Sequence, residues 1–243
     1  WRWCSTISSV PGCRNKASST ARAATPRAAN LSTAAYRADE VKFDTYLSRA
    51  GTDPVAYSSM GETFISRDKG GLRETGNDLD VAVDGDGWLA VQTPAGNVYT
   101  RDGRLQVSAD GVLQTVAGNP ILDPGGASIL VDPDSGRLSI GRDGMISQNG
   151  RAIGALGLFS IPDEAKLARG TNSGVIPDRP AVPVVDFVGQ GVAQGFVEEA
   201  NVNPVLEMTR LIEVTRAFEQ VTAASNKSEQ SMQDAIKRLG QVT

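Results

Sequence analysis

The sequence predicts an α+β chain, with an antiparallel, β-rich central domain followed by one long terminal helix of the coiled-coil type. Three observations carry this expectation. Residues 79–195 read as short apolar runs divided by Gly-containing turns, the pattern of an antiparallel meander. After Asn203 the sequence keeps a helical period without a breaker for about ten turns. The 243 residues include 26 Gly and 12 Pro but only 5% aromatics, so turns are frequent and the core is modest.

Four regions follow one another. Residues 1–28 are rich in Ser, Ala, Arg and Thr, show neither a 3.6 nor a 2.0 period, and are expected to be anomalous or disordered. Residues 29–78 are polar and mixed, with Val41, Phe43, Tyr46 and Leu47 as a short apolar group, and read as a connector that packs on something else. The meander of 79–195 holds the runs 79–83, 88–91, 97–100, 104–107 and 112–115, then 128–131, 137–140, 145–147 and 156–159. Asp102-Gly103, Asp110-Gly111, Asp143-Gly144 and Asn149-Gly150 sit between them, dipeptides that accept the positive φ of tight hairpins. Residues 196–243 carry the helix.

Its limits are marked chemically. Asn203 is a good N-cap, Pro204 suits the first helical position, and Gly240 after Leu239 is a stop. Positions 211, 214, 218, 221, 225, 228, 232, 235 and 239 follow a 4/3 heptad spacing, and all but Ser225 and Ser228 are apolar. Leu211, Val214, Phe218, Val221, Met232, Ala235 and Leu239 thus form one narrow seam. Arg210, Glu213, Arg216, Glu219, Lys227, Glu229, Asp234 and Arg238 lie on the other faces, with Glu213/Arg216 and Asp234/Arg238 spaced as ion pairs. Leaving the large seam residues in water would forfeit about 1.5–3 kcal/mol each, so the helix is expected to need a facing helix.

Composition narrows the chemistry. The net charge is −4 and no histidine is present, which removes Ser-His-Asp and Cys-His constellations and His-ligated zinc. The acidic balance argues against a nucleic-acid footprint, and no stretch of about 18 apolar residues exists for a membrane helix. Nor does the amino terminus hold the apolar run of about 7–15 residues that a cleaved secretory signal requires, so any export is expected by another route. Cys4 and Cys13 lack the C-x-x-C spacing, and bridge, ligand and free thiols all stay open.

Three motifs invite a catalytic reading and none sustains it. Gly85-Asp86-Gly87-Trp88-Leu89-Ala90 has the dinucleotide spacing, yet a strand rather than a helix is expected after it. Asp84/Asp86 and Asp132/Asp134 could be paired acids or oxygen ligands, but turn-forming Asp is the commoner use of that spacing. Gly189–Gly195 lacks the Lys-Ser/Thr ending of a phosphate loop and reads as a flexible crossing. No catalytic, cofactor-binding or metal-binding residue is assigned, and a non-enzymatic protein without a cofactor is expected.

Several ordered segments resemble the bacterial flagellar rod and hook protein family. They are Asn77–Leu89, Tyr99–Gly103 and Gly118–Leu122 in the meander, and Gln194-Gly195, Asn201-Val202-Asn203, Glu207-Met208-Thr209 and Arg216–Glu219 toward the end. Ala29-Asn30, Thr33 and Tyr36-Arg37 resemble the family's amino-terminal motif, with Ala35 where glycine is usual. Together the likeness spans about residues 29–240, and its finer features look most like a proximal-rod member, with a distal-rod member as runner-up.

The resemblance implies a non-enzymatic axial subunit of the basal body. It would be exported by the flagellar type III apparatus without a cleaved signal and would polymerise through terminal helices into a periplasmic drive shaft. Other proximal and distal rod subunits, and the surrounding basal-body rings, are the implied partners, with no nucleic acid and no membrane insertion. Residues 1–28 do not resemble the amphipathic helix the family places there, and a shifted reading frame or misplaced start is the expected reason. The rival functions are a surface adhesin with a coiled stalk and a β-rich carboxylate hydrolase using Asp84 and Asp86.

Overall fold

A computed structural model of the chain describes residues 27, 29–42, 44–48, 55–59 and 62–240, with the side chains at 44–48, 55–59, 235–236 and 238–240 outside the description. The expected anomalous segment 1–28, Arg27 apart, therefore lies outside the described residues, as do Phe43 and the side chains of Tyr46, Leu47, Ala235 and Leu239.

In chain order the strands are β1 Asp39–Val41, β2 Asp44–Ser48, β3 Val55–Ser59, β4 Thr63–Ile65, β5 Leu72–Glu74, β6 Val81–Asp84 and β7 Trp88–Thr93. They continue as β8 Gly96–Thr100, β9 Leu105–Val107, β10 Leu113–Thr115, β11 Leu138–Ile140, β12 Met145–Gln148 and β13 Arg151–Ala155. The last are β14 Leu158–Ser160, β15 Leu167–Arg169, β16 Val175–Pro177, β17 Val182–Pro183, β18 Gly191–Gln194 and β19 Phe196–Glu198, followed by the helix α1, Pro204–Gly240. Every strand pairing is antiparallel.

Two compact units divide the chain. One gathers residues 1–28, 43–60 and 203–243, and among its described residues holds the β2–β3 hairpin and α1. The other comprises residues 29–42 and 61–202 and holds the remaining strands. Its largest sheet runs β15-β16-β8-β7-β14-β17, beside the three-stranded β11-β12-β13 and the pairs β6–β18, β5–β19, β9–β10 and β1–β4.

The β unit builds its core by alternation on these short strands. Val81, Val83, Leu89, Val91, Leu113, Ile121, Ile146, Leu156 and Leu158 belong to one buried cluster. Strand β7 is covered on both faces: Leu89 and Val91 enter that cluster, Trp88 joins Ile65, Ile161 and Val175, and Ala90 packs with Leu122 and Phe159. That placement explains why 88–91 is a continuous apolar run.

Turn chemistry positions the hairpins. Asn149 and Gly150 both have positive φ (50° and 76°) in the tight turn from β12 to β13. Gly111 and Gly144 also have positive φ, but Gly103 is required for a different reason. A Cβ on Gly103 would lie 1.7 Å from the Val81 carbonyl oxygen, because the Val81 amide donates to the Gly103 carbonyl at 2.9 Å.

Two expectations need correction. Residues 128–131 keep an alternating burial, with Ile129 and Val131 inside, but they make only isolated bridges and no strand. The Gly189–Gly195 stretch is not simply a flexible crossing: Gly191–Gln194 pairs residue for residue with Val81–Asp84. Its glycine at 191 is close to Arg142, where a Cβ would come within 2.8 Å of that side chain, so composition misread a packed strand as a linker.

Candidate assembly site

Helix α1 begins as its sequence requires. The Asn203 side-chain oxygen accepts from the amides of Val205 (3.0 Å) and Leu206 (3.3 Å), and the Glu207 amide donates to the Asn203 carbonyl. Removing this cap by Asn203→Ala is expected to cost about 1 kcal/mol. Faster amide exchange at 205–207, with the β unit unchanged, is the measurement that checks it.

Glu207 lies in the first turn, where a carboxylate complements the helix dipole, and pairs with Arg210 at 2.6 Å and Arg27 at 3.3 Å. The Glu213/Arg216 spacing is not used as an ion pair, and Arg238 lies outside the described side chains, so Glu207–Arg210 is the described pair of this type along the helix.

The seam is uncovered. Phe218 is 71% exposed, Val221, Met232 and Leu211 are also exposed, and Val214 is half-buried. A helix of 37 residues is about 56 Å long, and most of its described side chains lie in water. Met208 is exposed as well, together with Val205 and Ile212 on the first turns.

The other motif residues join two stretches of the β unit that lie far apart in sequence. Asn201 accepts from the Ala38 amide at 2.7 Å through its side-chain oxygen, donates to the Asp68 carbonyl through its side-chain nitrogen, and donates to the Tyr36 carbonyl through its amide. Val202 packs with Tyr36, Ala38, Leu31 and Ala200. On the amino-terminal side the Thr33 hydroxyl donates to the Asn30 side chain at 3.1 Å, and Ala29 is exposed just before that turn.

Ala35 accounts for the glycine usual at its position: its φ is +54° and it is 1% exposed. Ala35→Gly would relieve about 1–2 kcal/mol of left-handed strain. Against that stand about 0.8 kcal/mol for a lost buried methyl and about 0.4–1 kcal/mol of added unfolded-state entropy. The expected result, read by denaturant titration, is an unfolding free energy within about 1 kcal/mol of the parent.

Sequence reasoning missed a second constellation, beneath these contacts. The Glu198 carboxylate pairs with Arg37 Nη2 at 2.6 Å and Arg101 Nη1 at 3.1 Å, and all three side chains are at most 2% exposed. Glu198 also accepts the Gly70 amide at 2.9 Å, and Arg101 Nη2 donates to the Gly85 carbonyl at 2.6 Å. Both guanidinium carbons lie near the Trp88 ring, 5.6 Å and 5.2 Å from its centroid. Burial pushes Arg37 down to about 10 while Glu198 opposes the shift, so Arg37 stays cationic at neutral pH. Separations of more than 60 residues hide such a cluster from any local pattern.

The residues that invited catalytic readings are occupied with structure. Asp84 reaches Arg142 at 3.4 Å and Asp86 reaches Lys69 at 2.9 Å, both in water, and the Lys69 contact holds Asp86 below the usual carboxylate range. Asp132 accepts from the Asp134 amide and the Ser135 hydroxyl, the work of a turn aspartate. Gly85-Asp86-Gly87 joins two strands. Among the described residues no cluster of three or more His, Cys, Asp or Glu could hold a metal. A cleft of about 440 Å³ has Arg104 and Arg169 in its wall, and these are already matched to Asp102 and Asp39. None of its lining residues is a paired nucleophile and base.

Known proteins resemble this chain in sequence. Residues 82–148 match the model of the flagellar hook protein FlgE/F/G D1 domain, and residues 193–238 match that of the flagellar basal body rod FlgEFG protein C-terminal region. The chain is 47% identical over 212 residues to the flagellar basal-body rod protein FlgF of Mesorhizobium japonicum, covering 87% of this chain and 88% of that protein. The chain belongs to the FlgE/F/G family of flagellar hook and basal-body rod proteins.

Within that family it is of the FlgF type. The FlgF of Rhizobium meliloti is 45% identical over 87% of this chain and 88% of its own length. A FlgG, from the Schizaphis graminum strain of Buchnera aphidicola, is 30% identical over 84% of this chain and 88% of its own length. The order of these likenesses agrees with the proximal-rod likeness read from the motifs. The matched carboxy-terminal region contains Gln194, Asn201, Asn203 and the seam through Met232, so the family pattern covers both the uncovered helix and the contacts at its base.

Proposed function

We propose that this chain is a structural subunit of the proximal flagellar basal-body rod, polymerising through its terminal helix into the axial shaft that transmits torque. The observation that carries this reading is the uncovered seam of Leu211, Val214, Phe218, Val221 and Met232 on a helix of 37 residues, in a chain of the FlgF type. Ala235 and Leu239 continue the seam by spacing.

Sister subunits supply the missing wall as facing helices packed in the coiled-coil manner, and the β unit stays outside that tube. Heterologous contacts that do not close into a ring generate a helical filament, and densely packed helices make it stiff. Proximal and distal rod subunits are the neighbours in the stack, and the surrounding rings face its outside. The subunit reaches the periplasm through the flagellar type III apparatus and works there without a cofactor or a catalytic step.

Tracing this chain in a density map of purified basal bodies tests the reading. Density for the β unit on the proximal rod, with α1 in the inner wall, is the expected result. Basal bodies that lack the chain, or a chain reached by antibody on intact cells, would overturn it.

A further inference from the structure

The chain passes directly from α1 into the β unit at residues 203 and 202, and along that route the first structure that force meets is the stretch 196–202. That stretch is held by three kinds of contact. Strand β19 pairs with β5, Asn201 and Val202 hold residues 36–38, and Glu198 holds Arg37 and Arg101. Apolar contacts are non-directional and can slide. Ion pairs and hydrogen bonds excluded from water are short-ranged in displacement and strong, so they yield only at high force.

We propose that the buried Arg37–Glu198–Arg101 clasp is a mechanical anchor, which keeps the stretches 29–42 and 196–202 from being drawn out of the β unit under load. The clasp joins five separate places. Glu198 receives the Ala35 amide on its backbone oxygen and the Gly70 amide on its carboxylate, while Arg101 ties to the Gly85 carbonyl. A buried ionic triad is a poor source of stability, since apolar residues of similar volume often serve as well. What it adds is direction. The inference rests on the rod reading for its purpose, because an assembled shaft is what loads this point.

The test pulls the full chain in an optical trap, with handles on cysteines placed by Asp110→Cys and Glu229→Cys after Cys4→Ser and Cys13→Ser. The parent is expected to yield in one cooperative step. Glu198→Gln is expected to release residues 196–202 first, as an extension of roughly 25 Å, at less than about half the parent force. Glu199→Gln, which breaks only the exposed pair with Arg73, should leave the force unchanged.

An apolar replacement, Arg37→Met with Glu198→Leu and Arg101→Met, separates direction from stability: it should match the parent in denaturant yet yield at lower force. Equal force in Glu198→Gln or in the apolar triple would overturn the anchor. Should neither variant fold, amide exchange in the parent decides, since the Ala35 and Gly70 amides must be protected together, and exchange at the rate of exposed loops overturns the proposal. A basal-body map without the chain would refute the rod reading and leave these forces as they are.

Discussion

Phe218→Asp is expected to abolish swimming in soft agar while leaving the purified chain as stable as its parent. Phe218 is 71% exposed in the isolated molecule, so the substitution removes almost nothing from the monomer. In an assembled tube the same position would lose about 1.5–3 kcal/mol of apolar burial. It would also place an unpaired carboxylate out of water, at a cost of several kcal/mol more. Each copy repeats that penalty, and a filament built from repeated contacts has no subunit left to compensate. Phe218→Leu keeps an apolar knob and should swim. Normal motility with Phe218→Asp would sink the seam as a contact surface.

The second large effect lies in the β unit. Gly103→Ala is expected to destabilise that unit by about 3 kcal/mol, a shift of about 6–12 °C in its melting for a unit of this size. The added Cβ would fall 1.7 Å from the Val81 carbonyl oxygen and 2.8 Å from its carbon, and both are backbone atoms that cannot swing aside. Gly71→Ala is the control: its Cβ would meet only the Glu199 carboxylate at 3.8 Å, and reduced freedom of the unfolded chain should make it neutral or slightly stabilising. Calorimetry of both variants checks the contrast. Equal melting of the two would mean that the crossing of residues 81 and 103 is loosely packed.

Much of this was legible from local chemistry. Asn203-Pro204 marked the start of α1, because capping and proline geometry act within a few residues; the stop expected at Gly240 falls at the last described residue. Asn149-Gly150 marked a hairpin, because only certain side chains tolerate two successive positive φ values. Heptad spacing predicted one apolar stripe on α1, and Leu211, Phe218, Val221 and Met232 of that stripe are exposed, as are most side chains of the helix. Where the reading fell short, the deciding contact was distant in sequence. Gly191–Gln194 becomes a strand because Val81–Asp84 offers it an edge more than 100 residues away. Gln194 illustrates the same point: its side-chain amide donates to the carbonyls of Asp78 and Leu138 and accepts the Ile140 amide, sealing the margin of β11 as a neighbouring strand would. Glu198 carries no local mark of its role, because its partners Arg37 and Arg101 lie about 160 and 100 residues away.

The stretches 29–42 and 196–202 are fastened side by side by Asn201, so the first and the last stretch of the β unit are tied to each other. A unit whose two ends are tied to each other keeps them together when a loop elsewhere in it is changed. Its exposed loops can be lengthened, trimmed or exchanged for another module without altering the contacts of Asn201. Fusing a fluorescent or enzymatic domain at an exposed turn such as Gly125-Gly126 is therefore a practical way to decorate the subunit while leaving those contacts as they were.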